Sequence, residues 1–132
     1  MTHLECSRPN CDTVVPCETP QNLCPACKSP LLARYDLATA AKTLSLAALK
    51  VRQNSMWRYE EVMPKATPVT LGEGMTPLVH APRLGAELGL TRLYIKDEGM
   101  NPTASFKARG LSAAVSMAKS LGIETIGPAD RG

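Results

Sequence analysis

From Ser105 to Leu121 the non-polar positions recur every three or four residues, at Phe106, Gly110, Leu111, Ala114, Val115, Ala118 and Leu121. That spacing predicts a helix with those residues on its inner face. Asn101-Pro102 just upstream is a turn signal, because proline fixes its own φ and pushes the preceding residue out of the helical region; Thr103 or Ser105 can then cap the helix. A second helix is expected from Leu37 to about Gln53, carried by Leu44, Leu46, Leu49 and Val51, with Asp36 or Thr39 as its start. A third is expected from Pro82 to Leu88, with proline in the first turn and Gly89 stopping it. Short apolar runs at Leu78–His80, Leu93–Lys96 and Ile123–Ile126 read as strands, and their alternation with helices predicts an α/β layer with parallel strands.

The chain divides into three stretches. Residues 1–35 hold every cysteine, residues 36–76 a helix and a linker, and residues 77–132 the strand and helix alternation. Three prolines and two glycines between Pro64 and Pro77 mark irregular backbone. Trp57, the single tryptophan, reads as a packing anchor, since burial of so large a ring dominates its surroundings.

Composition excludes several classes. Fifteen Lys and Arg against 12 Asp and Glu leave a formal charge of +3 over 132 residues, too small and too dispersed for a nucleic-acid surface. No apolar run approaches a membrane span and no signal peptide is evident, so no membrane is expected and the location is read as cytoplasmic. Five cysteines, an odd number, disfavour a complete disulfide framework and suit reduced thiols or a metal.

Cys6 and Cys11 form one close pair, and Cys24-Pro25-Ala26-Cys27 another. Two turns that each present two sulfurs suit a zinc ribbon, because four soft thiolates in a tetrahedral set select zinc in a closed, structural site. Four residues separate the first pair, Ser7 to Asn10, which is wide for a ribbon. Cys17 is left over and can replace Cys11 as a ligand; small buried residues or redox-sensitive thiols are the alternative for the set.

Lys107 falls in the first turn of the last helix. The helix dipole there favours the neutral amine, as burial would, and a neutral amine is what a nucleophilic lysine requires. His3 and His80 have no cysteine or carboxylate at ligand spacing and read as ordinary, and Asp97 and Glu98, on opposite sides of a strand end, do not form an acid/base pair. Gly72-Glu73-Gly74 is too short for a phosphate cradle, which needs several converging N–H groups.

The run Asn101-Pro-Thr-Ala-Ser-Phe-Lys-Ala-Arg-Gly110 resembles the lysine motif of the fold-type-II enzymes that use pyridoxal 5'-phosphate (PLP), among them threonine synthases, threonine dehydratases, cysteine synthases and tryptophan synthase β chains. Thr70-Leu-Gly-Glu-Gly-Met-Thr-Pro-Leu78 and Leu93-Tyr-Ile-Lys-Asp-Glu98 lie upstream at the family's usual distances. The resemblance implies that Lys107 is both cofactor anchor and catalytic residue, and that Thr76, at the substrate side of the cleft, is a substrate-binding candidate. Leu4-Glu5-Cys6, Leu23-Cys24-Pro25-Ala26-Cys27 and Pro30 to Leu37 are similar to the amino-terminal zinc-ribbon extension of many threonine synthases, and Met56-Trp-Arg-Tyr59 to the segment before their catalytic domain. The fold class this implies is α/β: a zinc ribbon followed by the first part of a fold-type-II enzyme, an incomplete parallel sheet with helices.

The reaction implied for the complete enzyme converts O-phosphohomoserine and water to threonine and phosphate, with PLP as cofactor and zinc as a structural metal. Members of that family are considerably longer and continue from the last strand into an Asn-containing loop that binds the cofactor ring. Here Gly127-Pro128-Ala129-Asp130-Arg131-Gly132 stands instead, and Ala104 replaces the motif's usual glycine. The chain is therefore expected to be a fragment, inactive alone, completed by a second polypeptide or associated as a homo-oligomer. A sister fold-type-II enzyme with another substrate, and a non-catalytic zinc-ribbon protein, are the alternatives.

Overall fold

The computed structural model describes residues 1–127; the expected departure from the family's loop at Pro128–Gly132 lies outside the described residues. The first stretch is a three-stranded antiparallel sheet with β1 (His3–Cys6) central between β2 (Val14–Pro16) and β3 (Leu31–Arg34). Leu4 pairs with Val15 on one side and Ala33 on the other. Val15 and Cys17 are buried here, and Arg34 and Glu5 form a cross-strand ion pair between β3 and β1.

The helix expected over Leu37–Gln53 is two helices, α1 (Leu37–Thr43) and α2 (Leu46–Val51). Asp36 caps the first by accepting from Thr39 N at 2.9 Å, and Ser45 caps the second by accepting from Ala48 N at 3.1 Å. The break has a physical cause in that serine. Its hydroxyl offers the backbone a non-helical partner, so Leu44 leaves the helical region and a new helix starts. A 3₁₀ stretch, Met56–Val62, follows with Ser55 as its cap.

Arg52 joins these pieces. Its guanidinium donates to both Glu61 carboxylate oxygens, at 2.8 and 2.6 Å, and to Arg58 O at 2.7 Å, while Thr43 Oγ1 donates to Glu61 at 2.8 Å. The end of α1, the residue after α2 and the 3₁₀ stretch thus share one carboxylate. The Arg52 guanidinium holds that carboxyl at about 2, well below its usual range.

The parallel sheet is not formed: every strand pair among the described residues runs antiparallel. β4 (Leu78–His80) and β5 (Tyr94–Lys96) pair as a hairpin whose loop is the short helix α3 (Pro82–Glu87). Ala81 N donates to Leu93 O at 3.0 Å, closing the ladder just past β4, and Leu90 N returns to Gly85 O at 2.7 Å. A Cβ at Gly85 would collide with Leu90 O, so the tight return depends on glycine. Six helical residues reverse the chain directly, whereas a parallel return needs a longer crossover. His80 stacks on Tyr94 with ring centroids 4.9 Å apart.

The long helix, α4 (Lys107–Ser120), begins two residues later than expected; its N-cap residue, Phe106, makes no side-chain cap bond, while Ser105 Oγ accepts from Lys107 N at 3.3 Å. It ends with the N–H of Ile123 on Ala118 O and that of Gly122 on Lys119 O, both near 3.0 Å, with Gly122 in the left-handed region. Beyond it, Ile123–Ile126 is not a strand, because it finds no ladder partner among the described residues.

The inner face of α4 also differs from the expected one. Ala108, Ser112 and Ser116 are buried, at four-residue intervals, whereas Phe106 and Leu111 stay 61% and 58% exposed. The reason is what packs there: an extended backbone at Val69. Val69 N donates to Ser116 Oγ at 2.8 Å and Val69 O accepts from Ser112 Oγ at 2.7 Å, so two hydroxyls satisfy both polar groups of one residue. Trp57 Nε1 donates to the same Ser112 oxygen at 3.0 Å. Larger side chains would hold the backbone off. Below this, Glu73 is buried and accepts from Thr70 Oγ1 and from Leu71 N, which folds residues 70–73 into a turn; burial opposes its ionisation, but these bonds outweigh burial and hold its carboxyl below the usual range.

Two expectations follow. Gly74 has φ +113 and an added Cβ would lie 2.5 Å from Met56 N, whereas Gly72, at φ +93, has open space. Gly74→Ala should destabilise by about 2 kcal/mol or more and Gly72→Ala by about 1 kcal/mol, read from denaturant unfolding; equal losses would contradict the close approach. Because Glu61 has a folded-state pKa below its usual value, its stabilisation is present above pH 4.5 and is lost as pH falls toward 2. Glu61→Gln should lower stability at neutral pH and flatten the acid limb between those values, measured by urea midpoints against pH.

Candidate functional site

The cysteine knuckles come together at one end of the small sheet, where Cys6 pairs with Leu31 at the start of β3 and Glu5 with Val14 at the start of β2. Cys6 closes β1, Cys11 follows a turn in which its N–H bonds Arg8 O at 3.1 Å, and Cys24 to Cys27 form a tight turn with Lys28 N on Cys24 O at 2.9 Å. Lys28 completes that turn with φ +59. The sulfurs of Cys6, Cys11, Cys24 and Cys27 all lie within 4.8 Å of one another, with Cys6 to Cys27 at 3.4 Å and Cys11 to Cys24 at 3.7 Å. Tetrahedral zinc–thiolate bonds of ~2.3 Å require sulfur separations of ~3.8 Å, so small movements would seat a metal. Cys17 is not in the cluster; it is buried beside Thr2 O and Glu18, where burial, then the Glu18 carboxylate, pushes its thiol up. The group of sulfurs close enough to share a metal thus contains Cys11 and not Cys17.

The four thiols restrain one another. Hydrogen bonds from Ser29 lower Cys27 to about 6. Cys6 is pushed up to about 12: the Arg8 amide favours its thiolate, but burial and the neighbouring thiols outweigh that bond. Four thiolates this close cannot all ionise without a cation, and a soft dication is what the donor set fits.

Lys107, the first residue of α4, is exposed. Its ammonium lies 5.1 Å from the Phe106 ring centroid and makes no ion pair among the described residues, while its N–H bonds Ser105 Oγ at 3.3 Å. An exposed, unpaired amine at a helix start is free to condense with an aldehyde, which is the fit a covalently held cofactor needs. The loop before it turns at Ala104, whose φ of +53 costs an L residue about 1 kcal/mol and explains why glycine suits that position.

Thr76 is buried and its hydroxyl donates to Glu98 Oε1 at 2.6 Å. Its carbonyl accepts from Lys96 Nζ, and Arg109 Nη2 lies 3.4 Å from Thr76 Oγ1. Thr76 and Lys107 therefore belong to different environments, one buried and internally satisfied, the other open. Glu98 is the residue sequence reasoning missed. It accepts from Arg109 Nε at 2.6 Å, Arg109 Nη2 at 2.9 Å and Asn101 Nδ2 at 3.0 Å besides Thr76, and the Arg109 guanidinium, then Thr76, hold its carboxyl at about 2. Its pairing with an arginine eleven positions away has no local periodic signal; only the charged pair Asp97-Glu98 just after β5 and the arginine inside the lysine motif could have suggested it.

Comparison with known proteins bears on the same residues. Residues 69–132 match the family described as pyridoxal-phosphate dependent enzyme. The threonine synthase of Methanosarcina acetivorans is 39% identical over 110 residues, 83% of this chain and 27% of the relative; that of Methanocaldococcus jannaschii is 42% identical over 101 residues, 74% and 25%. The threonine synthase of Halalkalibacterium halodurans is 48% identical over 80 residues, 54% of this chain and 22% of the relative. The chain thus spans about a quarter of the length of the curated relatives it matches. No solved structure matches it. The lysine motif and Thr76 both lie inside the residues, 69–132, that match the pyridoxal-phosphate dependent enzyme family, and the relatives named here are threonine synthases.

Proposed function

We propose that this chain is the part of a threonine synthase that carries the cofactor-anchoring lysine and a structural zinc ribbon, and that the whole protein converts O-phosphohomoserine and water to threonine and phosphate. The observation that carries the reading is Lys107: an exposed, unpaired amine at the start of α4, within the matched residues. PLP, when bound there, supplies an electron sink for the substrate Cα carbanion. The chain's own share is the covalent attachment through Lys107 Nζ, and transfer of the Cα proton by the same amine once substrate displaces it. Lys107 acts as nucleophile and base from one atom. Thr76, with its hydroxyl committed to Glu98, serves in this reading by shaping the substrate side of the cleft, and direct contact with substrate would require that hydroxyl to change partners.

Zinc at Cys6, Cys11, Cys24 and Cys27 is assigned a structural role, because all four ligands are protein sulfurs and no position is left for water or substrate. The sheet around it buries little besides Val15, Cys17 and Cys24, so the metal would supply much of its cohesion. Among the described residues no helix is long and apolar enough to cross a membrane. The exposed side chains of Phe106 and Leu111 support association with further polypeptide, whether a second chain or another copy.

The zinc assignment predicts one zinc per chain, loss of the small sheet's amide protection on chelation, and loss of zinc in Cys24→Ser but retention in Cys17→Ser, measured by elemental analysis and hydrogen exchange. Retention of zinc in Cys24→Ser would overturn the ligand set. The lysine assignment predicts that incubation with PLP followed by gel filtration leaves a visible absorbance band, abolished in Lys107→Ala with the fold intact. No band in the unaltered chain would remove Lys107 as a sufficient anchor. Phosphate release from O-phosphohomoserine, set against ammonia release from threonine, would separate the synthase from its sister enzymes.

A further inference from the structure

We propose that Glu98 is a positioning residue for Lys107: through Arg109 and Asn101 it fixes both ends of the loop that carries the lysine and sets the face of α4 on which the amine stands. The inference rests on reading Lys107 as the cofactor anchor, and three observations carry it.

First, the Glu98 carboxylate is filled. Thr76 Oγ1 and Arg109 Nη2 donate to Oε1, and Arg109 Nε and Asn101 Nδ2 to Oε2. A carboxylate with four donors has one preferred orientation, and Asn101 secures it again through Nδ2 to Glu98 O at 2.9 Å. Second, residues 102–106 have only local hydrogen bonds among the described residues, with Ala104 N on Asn101 O at 2.8 Å and the Ser105 acceptors for Lys107 and Ala108. The tethers of this loop to other segments are therefore at its ends: Asn101, whose Oδ1 accepts from Gly74 N at 3.3 Å, and Arg109. Third, side chains two residues apart on a helix diverge by about 200°. Holding Arg109 against Glu98 turns Lys107 to the opposite, open side, in agreement with its exposure.

The protein contains its own control. Arg52 and Glu61 form the same two-pronged ion pair, distant in sequence from the lysine loop. Glu61→Gln and Glu98→Gln should both lower stability, which is what any broken ion pair does. Only Glu98→Gln should alter Lys107. The chain would be treated with PLP, reduced with borohydride, digested, and the modified lysines mapped by mass spectrometry. In the unaltered chain and in Glu61→Gln, Lys107 should take most of the label; in Glu98→Gln its share should fall about tenfold, the loss expected when a charge-assisted tether is removed. Arg109→Lys, which keeps the charge without the fork, should fall likewise.

Amide exchange over residues 102–107, measured without cofactor, gives a second arm: about tenfold faster in Glu98→Gln, unchanged in Glu61→Gln. An unchanged Lys107 share in Glu98→Gln, or an equal fall in Glu61→Gln, would overturn the proposal, as would unchanged exchange. A chain with no preference for Lys107 but with the expected exchange would remove the cofactor reading, and with it the role of Glu98 toward that lysine, while leaving the tether established.

Discussion

The structure depends on how closely α4 can approach an extended backbone. Val69 has no sheet to satisfy its N–H and C=O, and the helix supplies both partners from Ser112 and Ser116. A serine hydroxyl reaches only a short distance, so these bonds require side chains no larger than Ala108 and the serines along that stripe. The same approach lets Trp57 reach Ser112, and so couples the 3₁₀ stretch to α4. These bonds hold α4 close along its middle, while the Arg109–Glu98 pair holds its first turns, and Lys107 rides at its start.

Polar groups hold this molecule where a larger core would otherwise do so. Among the described residues the buried apolar side chains are few, with Met56 the largest, whereas Ser55, Glu73, Thr76, Asn101, Ser112 and Ser116 are all buried. Beyond the small sheet, two guanidinium–carboxylate pairs divide the work: Arg52–Glu61 ties the helices after the sheet to the 3₁₀ stretch, and Arg109–Glu98 ties α4 to the turn that follows β5. Buried or half-buried networks of this kind favour one arrangement over its neighbours because each donor left without its acceptor costs free energy. In the proposed role, a lysine that meets a cofactor at one angle benefits from such a frame more than from bulk hydrophobic packing.

Local signals were legible in the sequence and non-local pairings were not. Asp36 as a cap, Pro82 in a first turn, Gly89 as a stop and the two cysteine knuckles each act within a few residues, and each appears where spacing placed it. Leu111 was assigned inward from its periodicity, but the partner surface is a bare backbone that selects small polar residues, which no hydrophobic period encodes. Parallel strands were expected from alternation; the direction of β5 was decided by Gly85 and its contact with Leu90, a contact made in three dimensions. Glu98 was set aside because it was compared with its neighbour Asp97, when its partners come from residues 76, 101 and 109.

Ala104 brings these strands of argument to the lysine itself. Its backbone sits at φ +53, which disfavours any residue with a Cβ, yet the loop keeps that turn. The conformation persists because its surroundings determine it from both sides: Asn101 O accepts from Ala104 N, and four residues beyond, Ala108 is buried. The strained turn at Ala104 lies three residues before the first residue of α4. The anchorage at Glu98 and the stripe at Ala108, Ser112 and Ser116 hold that turn in place, so the energy lies in the backbone next to Lys107 and not in the lysine side chain, which stays free to react.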